Sequence, residues 1–261
     1  MHPHRPVTTL TKNPELAVPV FSRQRILAHA DALALHRKLA VVACLLVVAH
    51  CLAMVSRFYF ERDIVFGLVP LFDFYEERNI PTYFSSFNLL LTAGILFTMA
   101  RLDKLNGKHM TPAWRVLGWG FLFMSLDEFA DMRMILSRIA DGAAGAPLLE
   151  MVPFLSVAWT VPVVLILLGL TAYFVPFLLH LDKRYALHFC LAGAGFVLAS
   201  VGLETTEGNH INLVNAGRDI PFTIMVTVEE TIEIFSILYF QYFLIRYASQ
   251  YHPDTRIQLS R

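Results

Sequence analysis

The residues of this chain that could do chemistry are acids set within long apolar stretches. Asp127, Glu128 and Asp131 form one group, Glu204 and Glu207 a second, and Glu229, Glu230 and Glu233 a third. If those stretches cross a bilayer, each such residue costs at least about 2.5–3.5 kcal/mol on insertion scales. Their spacing is helical. Asp127 and Asp131 stand four apart, Glu204 and Glu207 three apart, and Glu229 and Glu233 four apart. Residues at those offsets share a helix face. Each helix can thus turn a carboxylate pair to one side. Carboxylates crowded in a low-dielectric site must take up protons, pair with a cation or bind a metal. Hard oxygen ligands suit Ca²⁺, Mg²⁺ or Mn²⁺. Facing glutamates also occur in di-iron bundles. The residue types alone do not choose among Ca, Mg, Mn, Fe and Zn.

Other readings of the same acids stay open. Arg133 and Arg138, with Arg218, could neutralise some of them in a buried salt-bridge network. Di-iron bundles add Glu-x-x-His, and Glu207-Gly208-Asn209-His210 has that spacing, although Gly208 and Asn209 oppose a helix there. Glu204 and Glu207 are the acids that the outer water could solvate. His50 and His188 read as hydrogen-bonded interior histidines. Cys44, Cys51 and Cys190 lie in apolar runs with no metal spacing and read as small packing residues. No nucleophile elbow, P-loop or zincin motif is present, so no catalytic residue is assigned.

The elements that must carry these acids are membrane helices. The chain has 261 residues, of which 56% are hydrophobic and only 16% charged. Soluble domains hold roughly 25% charged residues. Arginine and lysine together equal the acids at 21 each, which speaks against a nucleic-acid partner. A span needs about 20 apolar residues. Six candidates follow: 39–55, 83–100, 114–139, 154–179, 185–204 and 221–245. The resulting fold class is all-α, a six-helix membrane bundle. A polar segment, 1–38, precedes the membrane domain, 39–246, and a tail, 247–261, follows it.

The loops orient the bundle. Arg37 and Lys38 precede the first span. Arg101, Lys104, Lys108 and Arg115 lie between the second and third. Lys183 and Arg184 lie between the fourth and fifth, and Arg246 ends the sixth. The alternate loops are acidic or poor in lysine and arginine. The positive-inside rule then predicts both termini in the cytoplasm of a bacterial-type inner membrane. Trp114, Trp119 and Tyr83 suit interfacial anchors. The segment 64–86 mixes aromatics with acids and fits an outer surface layer. With this orientation Glu128 lies about 21 Å into its span, Glu204 about 29 Å and Glu230 about 14 Å from the opposite side. All three groups then fall between the midplane and the outer face.

The stretches PLFDFYEERNIPTYFSS, SLDEFADMR, GLETTEG and VEETIEIF together resemble a family of uncharacterised bacterial multi-pass membrane proteins. The resemblance spans about residues 60 to 245 and implies architecture without an activity. It also implies His-Glu shortly after the Asp-Glu of the third span, where this chain has Asp131-Met132-Arg133. The functional expectation is an outward-facing carboxylate site for a divalent metal or protons. Its partners are the bilayer and a small ion or molecule. A metal-dependent membrane enzyme, a cation or proton transporter, and a structural subunit with its acids in salt bridges are the alternatives.

Overall fold

A computed structural model describes residues 20–130, 132, 160–214 and 218–252. Those residues are helical, with no strand among them. The helices are α1 (Val20–Tyr59), α2 (Leu68–Phe72), α3 (Ile80–Leu105), α4 (Thr111–Ala130), α5 (Thr160–His180), α6 (Lys183–Val197), α7 (Glu204–Val214) and α8 (Ile220–Tyr251). A π-helical turn, Leu198–Leu203, joins α6 to α7 without a break.

Among the described residues four stretches are long and apolar enough to cross a membrane: Asp31–Tyr59, Ile80–Leu105, Val163–His180 and Lys183–Gly208. The chain is therefore an all-helical protein built to associate with a membrane. Its outer faces are apolar, as lipid contact requires. Leu45, Leu52, Leu165, Leu168 and Leu198 are all more than half exposed in the isolated chain. Helices α4 and α8, which carry acids, are not among these four stretches.

Helix α8 is the central pillar. Residue pairs along it fix the direction of each neighbour. His36 Nε2 reaches Leu238 O at 2.8 Å, and His50 Nε2 reaches Thr227 Oγ1 at 2.9 Å, so α1 runs antiparallel to α8. Gln241 Nε2 donates to Thr92 Oγ1 at 2.8 Å, and Asn106 Nδ2 lies 3.2 Å from His252 Nδ1, so α3 runs parallel to it. Tyr185 donates to Gln250 Oε1 at 2.8 Å, and Gly195 faces Ser236, so α6 is antiparallel. Helix α4 lies antiparallel on α3. Ser86 donates to Ser125 O at 2.8 Å and Ser125 Oγ returns the bond to Ser86 O at 2.9 Å. At Gly118 a Cβ would meet the Phe97 ring at 2.8 Å, so a side chain there would hold α3 and α4 apart.

Local sequence explains the helix starts. Asn79 and Asp219 are N-caps, accepting from Thr82 N and Phe222 N, and each is followed by a proline in the first turn. Two cores result. One surrounds Trp114 with Leu96, Met99, Phe177, Phe189, Leu244 and Tyr247. The other joins Ala43, Phe74, Phe222, Val226 and Leu238. Trp114 therefore departs from the expected interfacial role. It is fully buried, with its ring edge-on to Phe177 at 4.8 Å. Trp119, by contrast, is 64% exposed. The fifth span was expected to stop at Glu204. The helix instead continues to Val214, through Gly208 and Asn209.

Candidate functional site

The site is the place where α7 meets α8. Glu207 projects from α7 and Glu229 from α8, and their carboxyls share a hydrogen bond. Both side chains are enclosed, at 6% and 7% exposure. Glu207 was the acid expected to face outer water, and burial under α8 is what overturns that expectation. The π turn before α7 inserts extra backbone into the helix, and such turns often mark functional sites. Without it, the residues that follow would sit on a different face.

A hydrogen bond between two carboxyls requires one proton, since a carboxylate only accepts. The charged neighbours that act on Glu229 are Glu207, Glu204 and Glu230, all acids. Glu207 keeps its second oxygen, Oε1, buried without a hydrogen-bond partner among the described residues. Such a bond needs one carboxyl of the pair to be protonated, and the second Glu207 oxygen stays enclosed.

The remaining candidates are distributed differently. Glu204 and Glu230 are half-buried beside the pair. Glu233 is half-buried one helical turn beyond Glu229. Asp127 and Glu128 are half-buried on α4, the helix that packs along α3. Asp131 and Arg133 lie outside the described residues. Among the described residues, no three His, Cys, Asp or Glu side chains are grouped so as to hold a metal ion. The seven described acids therefore do not form one metal cage; the structure brings together Glu207 and Glu229, flanked by Glu204 and Glu230.

The expected basic and histidine partners also have other roles. Arg218 Nη1 reaches Asp73 Oδ2 at 3.2 Å and Glu76 Oε1 at 2.8 Å, and its guanidinium stacks over Tyr75 at 3.9 Å. Arg57 Nη1 meets the same Asp73 oxygen at 2.6 Å. Arg218 is thus committed to the segment between α1 and α3. His210 lies one turn beyond Glu207 but turns to Asp219, with Nε2 at 3.1 and 3.0 Å from the carboxylate oxygens. The Phe222 N–H, and then His210, hold the Asp219 carboxyl below its ordinary range.

His50 behaves as a satisfied interior histidine. Phe74 N–H donates to Nδ1 at 3.0 Å, so Nε2 carries the hydrogen that faces Thr227. His188 stacks on Phe243 at 3.6 Å and pairs with the Tyr239 hydroxyl at 2.6 Å. A surface cavity of about 270 Å³ beside Pro70, Glu76, Glu77 and Asn79 is separate from the carboxyl pair.

Sequence reasoning missed one buried group, Asp103. It is fully enclosed and accepts from Trp114 Nε1 at 2.9 Å. It lies in the last turn of α3, among Arg101, Lys104 and Lys108, and in the sequence it reads as one more surface charge. The tryptophan eleven residues on was the available signal.

Neither a curated protein nor a solved structure matches the chain. A family model does match, over residues 38–247, from within α1 to within α8. The chain therefore belongs to the family described as Domain of unknown function (DUF8692).

Proposed function

We propose that this protein is a six-span inner-membrane protein whose Glu207–Glu229 pair is a proton-binding site near the outer face. The observation that carries the reading is the hydrogen bond between two enclosed carboxyls. Helix directions support six spans. Helices α1, α4 and α6 run one way and α3 and α8 the other, as alternating crossings require. The basic loops around Lys108 and Lys183 then share one end with the end of α8. Both termini are cytoplasmic, and Glu229 lies about 14 Å along α8 from its outer end, given 1.5 Å per residue.

A small cation is the second ligand this site supports. The unpartnered Glu207 Oε1 favours it, because an ion arriving as the shared proton leaves would find four carboxylate oxygens. That exchange suits a transporter. The other half of the bundle is filled by the core that includes Leu96, Met99 and Leu244, which favours exchange with the outer side alone. The divalent-metal reading now rests on Glu204 or Glu230 joining the pair. A metal-dependent enzyme and a structural subunit are the remaining readings.

Infrared difference spectroscopy tests the proposal directly. The purified protein is titrated from acid to alkali, and the protonated-carboxyl stretch is followed. One carboxyl band is expected to vanish on titration and to be absent or displaced in both Glu207→Gln and Glu229→Gln. A band unchanged in both variants would sink the proposal. Elemental analysis of the same sample decides the metal branch.

A further inference from the structure

Helix α8 meets α1 along one line and α6 along another. His36 on α1 reaches Leu238 O at 2.8 Å, and its ring lies 5.6 Å from that of Tyr242. His188 on α6 stacks on Phe243 at 3.6 Å and pairs with the Tyr239 hydroxyl at 2.6 Å. Between those lines runs one strip of α8: Phe235, Tyr239, Tyr242 and Arg246. They stand four or seven residues apart and so share a face. Phe235 and Tyr239 are more than a third exposed, Tyr242 is half-buried and Arg246 is exposed. The strip is the floor of a groove walled by α1 and α6 and open to lipid.

The groove changes character along its length. It begins at a phenyl ring and finishes, near the end of α8, at a guanidinium. Arg246 Nη1 donates to the Tyr242 hydroxyl at 2.9 Å, so the guanidinium is held in place. A guanidinium has five N–H donors, and this bond uses one. A hydroxyl that accepts one bond can still donate its own hydrogen. His36 and His188 steady the two tyrosine rings from either side. The walls carry the same sign of charge at this end. Arg37 and Lys38 follow His36 on α1, and Lys183 and Arg184 open α6, all four exposed. Asp182, the acid before them, caps α6 and accepts from Tyr251. The acids of α8, Glu233, Glu230 and Glu229, stand two, five and six residues from Phe235 and face other sides of the helix.

An amphipathic ligand with an anionic head matches this gradient, and basic pockets between membrane helices on the cytoplasmic side take anionic headgroups. We propose that the groove binds one anionic phospholipid, with its phosphate held by Arg246 and Tyr242 and an acyl chain lying along Tyr239 and Phe235. The site is separate from the carboxyl pair. The leaflet that supplies the lipid follows from the orientation proposed above; the binding does not depend on it.

The purified full chain in detergent is given equimolar dioleoyl phosphatidylglycerol and dioleoyl phosphatidylcholine, and retained lipid is counted by native mass spectrometry. One phosphatidylglycerol is expected to be retained in preference to phosphatidylcholine. Arg246→Gln is expected to lower that retention about tenfold, the loss of one hydrogen bond to a charged group. Tyr242→Phe is expected to lower it less. Lys104→Gln, which removes a cation of the same end from α3, is expected to leave it unchanged. Equal retention of the two lipids by the unsubstituted chain overturns the proposal, and that comparison needs no variant to fold. Equal losses in Arg246→Gln and Lys104→Gln also overturn it, because they would show diffuse attraction in place of a site. Tyr239→Cys, in a chain whose Cys44, Cys51 and Cys190 are serine, tests a second copy of the chain as the occupant. No disulfide-linked dimer is expected in the membrane, and its formation would overturn the lipid site.

Discussion

His252 Nε2 lies 2.9 Å from Asp103 Oδ1, with both side chains buried. The second carboxylate oxygen accepts from Trp114 Nε1 at 2.9 Å. Three elements therefore meet on one acid: the end of α3, the start of α4 and the end of α8. Asp103→Ala would leave the indole N–H enclosed without its acceptor and the imidazole without its neighbouring carboxylate. The expected loss is about 1–3 kcal/mol for each group left unsatisfied. Thermal unfolding in detergent checks it, and a Tm equal to that of the native chain would refute the role given to Asp103.

The same pair predicts a pH dependence. Burial, and then Lys108, lower the His252 pKa against the opposing pull of Asp103. The folded protein thus keeps this imidazole neutral where the unfolded chain would protonate it. Stability from this group is present above the ordinary histidine range. It is lost as pH falls through that range toward the folded-state value. His252→Gln should flatten this part of the stability profile. Tm measured against pH in both proteins decides, and equal slopes would remove His252 from the account.

At the other end of the bundle, magnitude separates two acids that look alike in sequence. Asp73 is 2% exposed and sits between Arg57 and Arg218, whereas Glu76 is 40% exposed and pairs with Arg218. Removing one member of a buried pair costs about 3–5 kcal/mol, because a charge is left uncompensated. An exposed pair contributes about 0–1 kcal/mol. Asp73→Ala should therefore destabilise severalfold more than Glu76→Ala in matched unfolding experiments. Equal losses would mean that water, not Asp73, solvates the two guanidinium groups.

Helix spacing is a local signal, and it carried over to the described helices. The acids recur at three and four residues, so the faces they share were legible. Burial was not, because it depends on partners far along the chain. Trp114 has the residue type of an interfacial anchor, yet Asp103 gives its N–H an acceptor inside the core. Glu207 fell beyond a span counted as twenty apolar residues. The π turn, which no residue pattern announced, carries the helix onward and sets Glu207 against Glu229. Arg218 looked available to the membrane acids until the Asp73 segment folded beneath it.

Close packing of α6 on α8 makes a prediction with two signs. A Cβ built at Gly195 would lie 2.7 Å from Ser236 Oγ and 3.8 Å from Ser236 Cβ. Only the hydroxyl is in the way. Gly195→Ala alone should cost about 1–3 kcal/mol through overpacking. With Ser236→Ala the obstacle is gone, and alanine exceeds glycine in helix propensity by about 1 kcal/mol. The double variant should then be more stable than Ser236→Ala. A double-mutant cycle that comes out additive would refute this contact.

The number of crossings can be read from one loop. Four stretches are apolar enough to span by themselves, and α4 and α8 are not among them. If α4 did not cross, the chain would re-enter through α5 from the cytoplasmic side, and Lys183 would emerge outside. If α4 does cross, Lys183 stays with Lys104 in the cytoplasm. The structure supports the second arrangement. Tyr251 donates to Asp182 at 3.3 Å, and Lys108 sits 5.6 Å over the Tyr251 ring, so both loops share one end of α8. Arg62→Cys should be labelled by an impermeant thiol reagent in intact cells. Lys104→Cys and Lys183→Cys should be labelled only after permeabilisation, all in the chain free of native cysteines. Labelling of Lys183→Cys from outside, with Lys104→Cys protected, would replace six crossings with four. It would also place Glu229 on a helix that does not span, removing the reason to seek a membrane proton site there.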